Sequence, residues 1–106
     1  MSERLKLLQS LLKESPEDSF LLYACGKEHE SLGDLDKALE IYLHLKEIDP
    51  EYVGMYYHLG KLYEDLDNQK MALEAYNDGI DVAKKQADFH ALSELNSAKT
   101  NLEIEM

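Results

Sequence analysis

The chain of 106 residues has one cysteine, two prolines and no tryptophan. A single cysteine excludes an internal disulfide framework. Cys25 stands among apolar residues at helical spacing and reads as a small packed side chain rather than a reactive thiol. Long apolar runs are missing, and no stretch is long or apolar enough to span a bilayer. The leucines of the N-terminal region are interrupted by Glu3, Arg4, Lys6, Lys13 and Glu14, so it does not read as a signal peptide, and a cytoplasmic location is expected. Positive charge is scarce as well. Eleven Lys and Arg stand against 22 Asp and Glu, a formal net charge of −11. Such a surface repels nucleic acid and anionic membrane. It favours a neutral or basic partner, or simply solubility.

The residues that carry chemistry are also lacking in the necessary patterns. His29, His44, His58 and His90 are scattered along the chain without the close His/Cys/Asp spacing of a metal site. No Gly-rich phosphate loop, Gly-x-Ser-x-Gly elbow or Cys/His nucleophile pair occurs. These absences predict a protein that is not an enzyme and needs no cofactor.

What the chain does contain is a repeat. Ser19–Tyr52 and Val53–Gln86 align without a gap, and nine pairs are identical: Tyr23/Tyr57, Gly26/Gly60, Lys27/Lys61, Glu30/Glu64, Leu32/Leu66, Ala38/Ala72, Leu39/Leu73, Glu40/Glu74 and Tyr42/Tyr76. Chance gives about two, and a fixed period in this range marks a solenoid of stacked supersecondary units. Apolar residues recur at helical spacing on both sides of Gly33-Asp34, with Leu22, Cys25, Gly26, His29 and Leu32 before it and Leu35, Ala38, Leu39, Tyr42, Leu45 and Ile48 after it. Gly33 allows a left-handed turn and Asp34 caps the next helix. Asp67-Asn68 does the same without glycine. Pro16 and Pro50 punctuate helix ends. The pattern predicts helices over about 2–14, 18–32, 35–48, 52–66, 69–85 and 88–103, with Asp88 as the cap that separates the last two. Glycine inside a helix costs up to about 1 kcal/mol against alanine, so Gly26 and Gly60 at matching positions imply a packing reason, a close approach of paired helices.

The spacing resembles the tetratricopeptide repeat family, whose pattern runs W-x2-L-G-x2-Y, A-x3-F, then P. The first unit offers Leu22-x2-Cys25-Gly26-x2-His29, Ala38-x3-Tyr42 and Pro50; the second offers Tyr56-x2-Leu59-Gly60-x2-Tyr63 and Ala72-x3-Tyr76. Leu22, Tyr56, Cys25, His29, Gly79 and Lys84 depart from it. The resemblance implies an all-α, right-handed α-solenoid of antiparallel helix hairpins with about six helices. One domain over 1–106 is expected, with an N-terminal half-repeat helix in 1–16, repeats at 19–52 and 53–86, and a capping helix in 87–106. The implied work is protein–protein interaction, with a peptide or protein partner held in a concave groove lined by the first helix of each hairpin. Outward positions there include Phe20, Tyr23, Ala24, Lys27, Glu30, Tyr57, His58, Lys61 and Glu64. Tyr23-x3-Lys27 and Tyr57-x3-Lys61 each place an aromatic ring and a cation one helical turn apart, a stacking surface plus a charge for a carboxylate. The carboxylate clamp of the family's chaperone-binding members is not reproduced, since its positions hold Tyr23, Lys27, His58, Asp88 and Leu92.

A second expectation concerns the flanks. Leu5, Leu8, Leu11 and Leu12 form one apolar stripe with Leu7 off its centre, and Phe89, Leu92, Leu95, Ala98 and Leu102 form another. Terminal repeats need a polar outer face. Where it is incomplete, Leu7, Leu92 and Leu95 are the candidates for self-association, giving a homo-oligomerising assembly element, with the chain a monomer or weak homodimer.

Overall fold

The computed structural model describes residues 2–106. Among them it contains six α-helices and no strand: α1 (Glu3–Glu14), α2 (Ser19–Ser31), α3 (Leu35–Ile48), α4 (Gly54–Asp65), α5 (Gln69–Gln86) and α6 (Phe89–Glu105). The helices fall into two compact units that divide between Tyr52 and Val53. In the first, α2 packs against both α1 and α3. In the second, α5 packs against both α4 and α6, and α4 also touches α6.

The local sequence explains where the helices start. Ser2, Asp18, Asp34, Asn68 and Asp88 each accept a backbone N–H three residues on, which satisfies one orphan donor of the helix that follows. Three helices end in the same way. Gly33, Asp67 and Ala87 adopt left-handed backbone with φ of 79°, 59° and 55°. The next N–H then reaches back to the helix, from Asp34 to His29 O, Asn68 to Tyr63 O and Asp88 to Ala83 O, at 2.8–2.9 Å. These are Schellman closures, which use up carbonyls that the helix leaves bare. Glycine and aspartate suit the conformation; alanine at residue 87 does not, which is why the turn itself is invisible in the sequence around it.

Each unit is closed by a tyrosine. Tyr42 on α3 and Tyr76 on α5 are fully buried. Their rings lie against Gly26 and Gly60, where an added Cβ would come within 2.4 Å and 2.1 Å of a ring carbon. The packing reason for these glycines is therefore a ring rather than a bare approach of two backbones. The phenol of Tyr42 donates to Glu30 and that of Tyr76 to Glu64, one helical turn beyond the glycine in each case. Gly79 serves a different ring: a Cβ there would sit 2.5 Å from Tyr56 Cβ.

One expectation about the apolar stripes needs correcting. Leu95 is 1% exposed, packed within the second unit, so it offers no surface for self-association. Phe89, on the same stripe, is 74% exposed because it opens α6 just past the Ala87 turn. Leu7 is 61% exposed, and Leu92 is half-buried.

Left-handed backbone costs an alanine roughly 1–2 kcal/mol that glycine avoids. Ala87→Gly is expected to raise the stability of the chain by about 1 kcal/mol in urea unfolding, because residue 87 lies outside both helices and loses no helical propensity.

Candidate interaction site

The outward residues of α2 converge on one open cavity of about 260 Å³ in the first unit. Phe20, Tyr23, Ala24 and Lys27 line one wall along successive turns of α2, with Ser31 at its far end; Arg4 of α1 lies opposite. Ala24 is buried at its base, whereas Phe20 is 62% exposed. Lys27 folds back so that Nζ stands 5.3 Å from the centre of the Tyr23 ring, a cation–π contact worth about 0.5–1 kcal/mol at an exposed site. The Tyr23 ring also meets the Tyr52 ring, tilted by 50° at 5.3 Å. Burial, helped by Asp18 and Asp49, pushes the Tyr52 phenol above its ordinary range.

Arg4 and Glu28 did not stand out in the sequence as binding residues, and Ala24, expected on the outward face, is buried. Glu28 also borders the cavity. It accepts a hydrogen bond from Ser2 Oγ at 2.8 Å and lies 3.6 Å from Arg4 Nε. Arg4 and Glu28 come from separate helices, and only the packing of α1 on α2 brings them together.

In the second unit the same spacing is used differently. Lys61 Nζ lies 3.9 Å from Glu64 Oε2. The Tyr57 and His58 rings meet edge to face at 5.5 Å. Tyr57, His58 and Lys61 thus share one stretch of α4 at the surface, Tyr57 and His58 half-buried and Lys61 exposed.

Glu30 and Glu64 have a structural task beyond any at a binding face. Both are half-buried acceptors for core tyrosines. Burial first, and then the accepting carboxylate, push the Tyr42 and Tyr76 phenols well above their ordinary value of 10.0.

Among the described residues no cluster of His, Cys, Asp and Glu is arranged to hold a metal, and no helix is long and apolar enough to cross a membrane. His29 is buried in the first unit, with neither ring nitrogen hydrogen-bonded; Asp34 Oδ2 is 3.7 Å from Nδ1. Cys25 is also buried, which raises its thiol pKa despite the opposing charge of Lys37.

The tetratricopeptide repeat model matches residues 21–52 and 53–86. A tetratricopeptide repeat domain protein from Salinibacter ruber, known from a crystal structure, is 45% identical over 81% of this chain and 97% of its own, with a TM-score of 0.78. The chain belongs to the tetratricopeptide repeat family, a class of non-catalytic helical-repeat scaffold that binds other proteins. More distant structures share the fold. PcrH, solved with the chaperone-binding region of PopD, is 18% identical over 95% of this chain and 77% of its own, with a TM-score of 0.88. The TPR2B domain of yeast Sti1, in a complex with pHsp70, is 16% identical over 96% of this chain and 82% of its own, with a TM-score of 0.89. No curated protein sequence matches the chain.

The two raised phenols fix a pH dependence. The folded chain holds these protons more tightly than the unfolded chain, whose phenols titrate near 10. The stability they contribute is complete below that value and is lost as pH rises above it. The urea midpoint should stay level up to about pH 9 and then fall. In the Tyr42→Phe, Tyr76→Phe double variant the alkaline fall should be shallower, measured from that variant's own neutral value.

Proposed function

We propose that the chain binds a peptide or protein partner on the outward faces of its first helices, without catalysis and without a cofactor. The contact residues are Phe20, Tyr23, Lys27 and Glu30 on α2 and Tyr57, His58, Lys61 and Glu64 on α4. The observation that carries this reading is the open cavity beside Phe20, with Tyr23 and Lys27 stacked at its wall. An exposed aromatic ring supplies apolar contact at little entropic cost, and a neighbouring cation supplies direction. Both are enriched at the energetic centres of protein interfaces. Peptide complexes of PcrH and of the Sti1 domain support the same kind of work for this fold. Glu30 and Glu64 hold the tyrosines behind these faces and act on binding through that support. The net charge of −11 favours a partner that is neutral or basic as a whole.

A second reading, homo-oligomerisation, is favoured by one observation, the 61% exposure of Leu7 on α1. With Leu95 inside the second unit, that surface is smaller than the sequence implied, and a monomer or weak homodimer follows.

Partner capture by the immobilised chain tests the principal reading. Tyr57→Ala combined with Lys61→Ala is expected to weaken capture about tenfold or more, as loss of an interface anchor does, while the helical circular dichroism stays unchanged. Unchanged capture would remove α4 from the binding face.

A further inference from the structure

The first unit exposes a face that its own internal repeat covers in the second. A shift of two repeats carries α1 onto α5 and α2 onto the start of α6. Arg4, Leu7 and Leu11 then fall on Ala72, Ala75 and Gly79, all of which are buried. Lys27 falls on Leu95, 1% exposed. In the second unit α4 lies across this face and touches both α5 and α6; its Tyr56 sits directly against Gly79. In the first unit the equivalent residues are open. Leu7 is 61%, Leu11 41% and Phe20 62% exposed, and Arg4 and Lys27 are exposed beside them.

We propose that the α1–α2 face is a docking site for an amphipathic helix of a partner protein, with carboxylates flanking that helix's apolar stripe. The proposal rests on the reading of the chain as a protein-binding module, and adds the shape and charge of the segment bound. The shape is that of α4, the element that fills the same place two repeats on. Apolar contact comes from Leu7, Leu11 and Phe20. The charge comes from Arg4 and Lys27, which stand where the second unit has alanine and leucine. The one carboxylate that lines the cavity with them, Glu28, already accepts from Ser2 and pairs with Arg4. Two cations against one engaged carboxylate leave the rim positive, within a chain that is strongly negative elsewhere. A bound helix therefore gains from carboxylates only along this rim and is neutral or basic on its remaining faces. Leu11 in place of Gly79 and Arg4 in place of Ala72 also hold it further out than α4 stands from α5, so side chains rather than backbone make the contact.

A second copy of the chain fits less well. The surface of α6 between Phe89 and Ile104 is polar, with Asn96, Ser97, Thr100 and Asn101 exposed and its leucines 95 and 102 buried. Two copies at −11 each also repel.

The test is an amide-resolved NMR titration of the whole chain with a synthetic helix of about 16 residues, built on a leucine stripe flanked by glutamates, and with its counterpart carrying lysines in their place. The expected result is saturable perturbation at Arg4, Leu7, Leu11, Phe20 and Lys27, about tenfold tighter for the glutamate helix than for the lysine helix. The Arg4→Gln, Lys27→Gln variant should bind the glutamate helix about tenfold more weakly while its helical circular dichroism stays unchanged. Absence of binding by both helices, or equal binding of both, overturns the proposal. Perturbation confined to Tyr57, His58 and Lys61 also overturns it, while leaving the binding role of α4 standing. Perturbation of the α1–α2 amides on concentrating the chain alone would make a second copy the occupant instead.

Discussion

A tyrosine ring laid on a glycine, with its hydroxyl given to a glutamate one turn further along, is the contact on which both units depend. Tyr42 uses Gly26 and Glu30; Tyr76 uses Gly60 and Glu64. The ring fixes how closely the two helices of the hairpin approach, since a single methyl group on either glycine would collide with it. The hydroxyl fixes their register, because a buried phenol without an acceptor would cost about 1–3 kcal/mol. A hydrogen bond to a charged acceptor is worth about 1.5–3 kcal/mol, more than the roughly 1 kcal/mol that a glycine costs within a helix. The contact repays the glycine locally, and the same three residues recur in both units for that reason.

Much of the fold was legible because it is written twice. The nine identical pairs include every member of the two tyrosine contacts, and the helix caps at Asp34, Asn68 and Asp88 are ordinary local chemistry. The glycine rule needed a ring as well as a backbone, since sequence spacing says that two residues meet without saying which atoms do. Ala87 was not legible. Its left-handed backbone is imposed by the two helices it joins and by the Asp88 cap, against its own preference.

The candidate site was legible in part. Phe20, Tyr23 and Lys27 do meet around one cavity, as residues on one helical face must. Arg4 and Glu28 were missed, because each is an unremarked charge in its own helix and acquires meaning only across the α1–α2 contact. Glu30 and Glu64 fall at outward positions of the helical pattern, yet each also reaches into the hairpin to serve a tyrosine. The Tyr–Lys spacing is shared, but Lys27 stacks on its tyrosine and Lys61 turns to Glu64. Identical spacing therefore gives two chemically distinct helix surfaces rather than a duplicated one.

These surfaces stand on the same contact. Glu64 holds Tyr76 behind α4 while Lys61 reaches it from the front, so the surface of α4 and the core share one carboxylate. The most direct test is a double-mutant cycle in urea unfolding with Tyr76→Phe, Glu64→Gln and both together. The tyrosine contact predicts a coupling energy of about 1–2 kcal/mol between the two positions. Effects that simply add would mean that the hydroxyl and the carboxylate do not act through each other, and that this hydrogen bond does not hold the hairpin.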